Sequence, residues 1–337
     1  MLNLKIDFAR HVRQVVCAVA GMAVLSVAMA LPSNPAHAAS YPTRPVRIIV
    51  PYGAGGIADV TMRMVAEKLS DKLGQSFIID NRPGAAGIIG IKAVVSSPPD
   101  GYTLAMIGGG LTAAKSLFKS LPYDLERDLI PISTTAFYGL VIATKAGSPL
   151  KSVKDVIEAA KAKPGKLNFG TINPGSNQHL SGELFKTLAG ISVTTIPFKT
   201  TPELVTAMIR GDIDILFEYQ AALQGALNDR QIVAIATTGR ERSPSLPDVP
   251  TVHEGGLTEY EVTSWNALAA PAGTPPEIVT ILNQAVNEVL NMPDVKAATA
   301  KFGMEARGGS VEELRERIAR EVAKWEKVVE AAGIEKK

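Results

Sequence analysis

Two short glycine-bearing stretches hold the residue types best placed to do chemistry. One is PYGAGGIAD, residues 51–59; the other is TINPGSNQHL, residues 171–180. Each follows an apolar run that reads as a buried strand and precedes residues at helical spacing. The start of a helix presents backbone N–H groups without intrahelical partners at the positive end of the helix dipole. Such a turn holds an anion without a charged side chain, and glycine lets the backbone approach the guest closely. The first stretch admits two kinds of guest. Gly53-x-Gly55-x-x-Ala58 fits a dinucleotide fingerprint, with Asp80 about where a ribose-binding acid would stand. A carboxylate is the other.

The candidate ligand residues come from these loops and their neighbours. Tyr52, Gly53, Ala54, Gly55, Gly56 and Asp59 belong to the first, and Thr171, Asn173, Gly175, Ser176, Asn177 and His179 to the second. Gly109, in the turn IGGG, lies at the same edge of the first sheet, and Thr200 and Glu218 sit at later strand ends. Each has a structural reading beside the functional one. Ser176 or Asn177 can cap a helix, Asp59 suits the first turn of one, and His179 can serve in packing or capping. Arg82 can seize a carboxylate bidentately or pair with a neighbour. Glu218 can reach the cleft or pair with a cation such as Lys199.

Enzyme chemistry finds little support. There is no Gly-x-Ser-x-Gly elbow, no Gly-x-x-x-x-Gly-Lys-Ser/Thr loop and no His-Glu-x-x-His pair. His179 and His253 lack metal-ligand spacing, so no metal and no cofactor is expected. The only cysteine, Cys17, falls in an N-terminal apolar run with the character of a leader, which leaves no thiol for a disulfide, a nucleophile or a metal site.

The elements that must position these loops alternate. Residues 46–50, 76–80 and 103–107 read as strands, with helical periodicity over 57–73 and 85–97 between them. A long extended run at 132–146 leads to a second alternating series. Its helices are 153–162, 175–188 and 202–210, and its strands are 167–170, 193–197, 213–217 and 232–236. After the proline-rich SPSLPDVPT comes another extended run, 259–270, then helices over 276–290, 295–302 and 311–330. This order argues for an α/β, two-lobed architecture in which each lobe is a largely parallel sheet flanked by helices, with two crossover strands. The expected division is 39–142 plus 262–337 for one lobe and 143–261 for the other, hinged near residues 142–143 and 262–264. Ligands of such sheets bind beyond the carboxyl ends of the strands, between the lobes.

The N-terminus carries Lys5, Arg10 and Arg13, then an uncharged apolar run over 15–31, then Ala36-His37-Ala38. That is the layout of a secretory signal peptide over residues 1–38, with cleavage near Ala38 and export to the periplasm expected. Removing the leader's three basic and one acidic residues from totals of 35 and 33 leaves the two signs equal. A balanced chain gives no electrostatic case for nucleic acid or an anionic membrane surface. Export also weakens the dinucleotide reading, because nicotinamide dinucleotides are scarce outside the cytoplasm.

Five ordered motifs carry a resemblance: YPTRPVRIIVPYGAGGIADVTMRMVAEKL, IIDNRPGAAGIIG, PGKLNFGT with GSNQHLSGELFK, RSPSLPDVPTVHEGG, and SWNALAAPAGTPPEIVTILN. From Tyr41 to Trp325 the chain resembles the substrate-binding proteins of tripartite tricarboxylate transporters, the Bug family. The resemblance implies a periplasmic receptor that closes on a small carboxylate, through backbone amides and water in the two loops, and delivers it to a two-subunit membrane transporter. It places contacts at Tyr52 to Gly56 and at Ser176, Asn177 and His179. The chain departs from the family's pattern at Pro197-Phe198-Lys199-Thr200-Thr201, at Phe217-Glu218 and at TINPG. These positions are where ligand identity is expected to be set, so Glu218→Gln is expected to change ligand preference more than stability. The dinucleotide fingerprint is then read as a carboxylate site, and Asp80 as a strand-end residue. A monomer is expected. An exported enzyme of unrecognised chemistry and a ligand sensor for a signalling partner are the alternatives.

Overall fold

Strand β1 (Val46–Val50) shows why its sequence sits inside a sheet: Val46, Ile48, Ile49 and Val50 are all fully buried. A near-continuous apolar run is what a parallel strand covered on both faces requires. It pairs in parallel with β2 (Phe77–Asn81) on one side and β3 (Thr103–Gly108) on the other. The structure is a computed structural model and describes residues 41–172 and 174–337; the leader, with its cleavage site, and Asn173 lie outside the described residues. Arg44–Lys337 form one unit.

The second parallel trio repeats the order. β5 (Asn168–Ile172) lies between β6 (Thr194–Phe198) and β7 (Ile215–Tyr219). Two long antiparallel strands join the trios. β4 (Leu129–Lys145) pairs with β9 (Thr263–Pro271) from Leu129 to Gly139, and β9 also pairs with β3. From Leu140 onward β4 pairs instead with β7 and with β8 (Ile232–Thr237). The exchange of partners falls between Gly139 and Leu140, and the chain returns at Val262, whose N–H donates to Thr238 O at 2.8 Å. The chain thus adopts the expected two-lobed α/β architecture, with β4 and β9 as its long crossover strands.

Helices cover both sheets. The first trio carries α1 (Ile57–Leu73) and α2 (Ile88–Val95), with the single turns α3 (Gly109–Thr112) and α4 (Ala114–Leu117) after β3. The second carries α5 (Val153–Ala162), α6 (Asn177–Ala189), α7 (Thr201–Arg210) and α8 (Gln220–Asn228). The C-terminal helices are α9 (Pro276–Leu290), α10 (Pro293–Ala300) and α11 (Val311–Ala331). The turns α3 and α4 and the helix α8 have no counterpart in the expected order. Each is short or rich in small residues, so tertiary packing rather than periodicity defines it.

α11 starts with a capping box between Ser310 and Glu313, and it serves both cores. Its Leu314, Ile318 and Val322 join Ile49, Ile107 and Trp265. Its Trp325, Val328 and Val329 join Phe169, Phe185 and Phe217, whose rings meet edge to face at 5.1 and 5.7 Å. Among the described residues, no helix is long and apolar enough to cross a membrane, and no three His, Cys, Asp or Glu gather to hold a metal.

Candidate ligand site

β1 and β5 are the middle strands of their trios, so the loops after them open at equivalent places. In the first loop Gly55 takes a left-handed φ of 81°, and its N–H donates to Asp59 Oδ2 at 2.8 Å. Arg63 Nε donates to the same oxygen at 3.0 Å, and Asn81 Nδ2 donates to Oδ1 at 2.8 Å and to Tyr52 O at 3.1 Å. Burial opposes the charge on Asp59, but the bonds from Arg63, Gly55 and Asn81 outweigh it and hold the carboxyl below its usual value. Asp59 is 2% exposed, whereas Gly53, Ala54, Gly55 and Gly56 form an open rim. The carboxylate therefore shapes the loop, with both oxygens engaged from within the protein.

The second loop uses the same device. Gly175 has φ 86°, and its N–H donates to His179 Nδ1 at 3.0 Å. Ser176 caps α6 by accepting the His179 backbone N–H at 3.2 Å, and its hydroxyl donates to Ile172 O at 2.7 Å. His179 Nε2 faces Glu183 at 3.5 Å, and Lys186 and Thr195 hold that carboxylate. Burial lowers the pKa of His179; Glu183 opposes this and Lys186 adds to it. An imidazole that accepts at Nδ1 is neutral, with its proton on Nε2 toward Glu183.

Neutral polar groups from both loops and from β4, β7 and β9 meet in one cluster, the chamber. Asn177, the first residue of α6, donates from Nδ2 to Ser264 Oγ at 2.8 Å and to the Tyr219 hydroxyl at 3.3 Å. Tyr219 and Ser264 are themselves 3.1 Å apart. The Tyr138 hydroxyl donates to Asn266 Oδ1 at 3.1 Å, and the rings of Tyr138 and Tyr219 lie 5.3 Å apart. Tyr52 reaches the same place from the first loop: a methyl on Gly108 would stand 3.6 Å from its hydroxyl, 3.3 Å from Asn266 Oδ1 and 2.9 Å from Trp265 O. Burial, and secondarily the neighbouring phenols, push the pKa values of Tyr52 and Tyr138 up, so both stay protonated and able to donate. Two buried atoms have no partner in the chamber, Asn177 Oδ1 and Asn266 Nδ2. An unmatched buried polar atom is costly unless a guest satisfies it.

The remaining candidates are engaged within the fold. Thr171 is fully buried, and its hydroxyl donates to Ile172 O at 3.2 Å. Gly109 packs where a methyl would come within 3.3 Å of Trp265 Nε1. Thr200 is an exposed cap of α7. Asn173 lies outside the described residues. Glu218 takes its partners from elsewhere than Lys199: its Oε1 accepts from Gln178 Nε2 and Tyr219 N, and its Oε2 accepts from Thr201 Oγ1, each at 2.8 Å. At 1% exposure it ties the starts of α6 and α7 to β7. Arg82 donates to Asp80 at 3.0 Å, and Arg47 stands 3.8 Å from the same carboxylate, which is thereby engaged at a strand end.

Sequence reasoning overlooked Tyr138, Tyr219, Ser264 and Asn266. The signal was there for two of them: in TSWNALAAP, Ser264 and Asn266 are alternate polar residues in a strand otherwise made for burial.

Comparison with known proteins identifies the family. The profile described as the tripartite tricarboxylate transporter family receptor matches residues 61–334. The chain is 35% identical to the protein BugT of Bordetella pertussis, over 94% of this chain and 97% of that one. Among solved structures, a Rhodopseudomonas palustris protein, Rpa4515 with adipate, is 35% identical with a TM-score of 0.74, covering 87% of this chain and 98% of its own. MatC of the same organism, with bound malate, is 29% identical with a TM-score of 0.70, covering 86% and 100%.

Proposed function

Because the chain belongs to the family of tripartite tricarboxylate transporter receptors, we propose that it is a periplasmic solute-binding receptor for a small carboxylate. Residues 39–142 with 262–337 form one lobe and 143–261 the other. The receptor works as a monomer and hands its ligand to a two-subunit membrane transporter. The observation that carries this reading is the convergence of Tyr52, Asn177, Tyr138 and Asn266 on one chamber where Asn266 Nδ2, a buried donor, has no partner. Neutral donors suit a carboxylate that must later leave: phenols, amides and helix-start N–H groups bind it without the grip of a fixed ion pair.

The ligand contacts in this reading are Tyr52 and the rim Gly53, Ala54, Gly55 and Gly56 from one side. Asn177 and the backbone of Gly175 and Ser176 come from the other, with Tyr138, Tyr219, Ser264 and Asn266 between them. Asp59, His179 and Glu218 position these groups rather than touch the ligand. Contacts to both loops exist only when the lobes are closed, so the ligand shifts the population toward closure. The adipate and malate of the two similar structures make short aliphatic dicarboxylates the class to try first.

The deciding experiment is the thermal midpoint of the chain without its leader against a panel of carboxylates, NAD and NADP. Binding to the native state raises the midpoint by mass action. A rise with one class of acids supports the receptor. A rise with a dinucleotide alone overturns it.

A further inference from the structure

Beside the chamber lies a cavity of about 920 Å³ whose lining includes none of residues 51–59 or 171–180 and meets the chamber only at Tyr138. Its lining includes residues 303–309 and Arg317, residues 239–245, and Phe137 to Val141 of β4. Its volume is in the range of small-molecule sites.

Two guanidinium groups share one aromatic ring there. The central carbons of Arg307 and Arg317 lie 4.3 and 4.7 Å from the centroid of Phe137. Stacking fixes the face of a guanidinium and leaves its N–H edges free to bind oxygen in a fork. Among the described residues neither group makes a hydrogen bond. The nearest carboxylate oxygens, on Glu305 and Glu321, are 3.7 and 4.0 Å away, beyond hydrogen-bond reach. The Glu321 oxygen already accepts from Trp265 Nε1 at 2.9 Å. The other arginines of the cavity are committed: Arg240 donates to Thr258 O at 3.0 Å, and Arg242 donates to both oxygens of Glu254. Burial strains the charge on Arg317; Glu321 and Glu261 relieve it in part, while Arg320 and Arg307 add to the strain. A guest of opposite charge would relieve this.

We propose that Arg307 and Arg317, braced on Phe137, form a second site that takes a small oxyanion of two or more negative charges. Phosphate and a di- or tricarboxylate share that chemistry, and the site is independent of which acid fills the chamber. Because Phe137 precedes Tyr138 on the strand that passes between the two sheets, an anion held here stands against the crossover itself.

Isothermal titration of the leader-free chain with inorganic phosphate, pyrophosphate and tricarballylate tests the proposal. Saturable binding of a probe is expected. Arg307→Gln with Arg317→Gln should weaken it about tenfold or more, because both forks are lost, while Arg307→Lys with Arg317→Lys keeps the charges and gives an intermediate loss. Whichever of adipate and malate raises the thermal midpoint of the wild-type chain should still raise that of the double glutamine variant. If phosphate and pyrophosphate bind and tricarballylate does not, the source is a phosphate; the reverse identifies a carboxylate. No saturable binding of any probe to the wild-type chain overturns the proposal. So does binding that is undiminished in folded double variants.

Discussion

His179 Nδ1 accepts the N–H of Gly175 at 3.0 Å, and this bond reproduces in the second loop what Asp59 does for Gly55 in the first. In both, a glycine of left-handed φ precedes the helix cap, and the third residue of the helix reaches back four positions to take its N–H. The motif extends the capping-box principle by one residue toward the N-terminus. It turns the glycine's N–H inward, and the loop's other groups are left to face the guest. The two acceptors differ in one respect: a carboxylate accepts over a wide pH range, whereas an imidazole accepts only while neutral.

That difference makes the second loop sensitive to acid. The pKa of His179 is lowered in the fold, so below the unfolded value of about 6.5 the unfolded chain binds the proton more readily. The stability contributed by the neutral ring is present above about pH 6.5 and is lost as pH falls through the lower folded value. Glu183 and Lys186 face the ring and shift this window without changing its sign. Thermal midpoints of the wild type and of His179→Gln, compared from about pH 8 to about pH 5, should diverge at the upper end and converge at the lower. Parallel curves would refute the assignment.

The two glycines should respond unequally to alanine. At Gly55 a methyl meets nothing within 4 Å, so Gly55→Ala carries only the strain of its φ, about 1 kcal/mol. At Gly175 the methyl would also stand 3.1 Å from Leu117 Cδ1, which must give way. Denaturant unfolding should rank Gly175→Ala as the more costly, and carboxylate affinity should fall in both. Equal costs would mean that Leu117 yields freely.

The paired alternating series, the two extended runs and both glycine loops could be read from the sequence because each rests on local pattern: strand burial, helical period and glycine before a helix. Glu218 shows where that reading stops. Its place at a strand end pointed to the ligand, but its three partners come from β7, α6 and α7, and only the closing of the sheet brings Gln178, Thr201 and Tyr219 together. Tyr138 failed to register for the same reason. Its partner Asn266 is 128 residues away, and no local spacing encodes that meeting.

Glu218 is therefore expected to govern stability rather than ligand choice. Glu218→Ala removes three 2.8 Å bonds to a fully buried carboxylate. It leaves Gln178 and the Tyr219 N–H unmatched, at a cost of about 3 kcal/mol. Glu218→Gln retains an acceptor and should cost about 1 kcal/mol. In both variants the order of preference among carboxylates should be unchanged. A reordered panel with an unaltered midpoint would return Glu218 to the ligand site.

The long C-terminal helix offers the converse case, a buried carboxylate whose charge is a burden. Glu321 accepts from Trp265 Nε1 at 2.9 Å and stands 3.4 Å from Thr112 Oγ1. Burial nevertheless raises its pKa, against the pull of Lys324, Trp265 and Arg317. A carboxyl raised in the fold contributes stability below its unfolded pKa and loses it as pH rises through the folded value, so at neutral pH the ionised form is disfavoured. Glu321→Gln keeps an oxygen for the indole N–H and discards the charge. Its thermal midpoint should exceed that of the wild type at about pH 8 and lose the advantage toward about pH 4, where the carboxyl is neutral in both states. Glu321→Leu, which leaves Trp265 Nε1 without its acceptor, should be the less stable of the two variants at every pH. A midpoint for Glu321→Gln below that of the wild type at about pH 8 would show that the attraction of Arg317 and Lys324 outweighs burial.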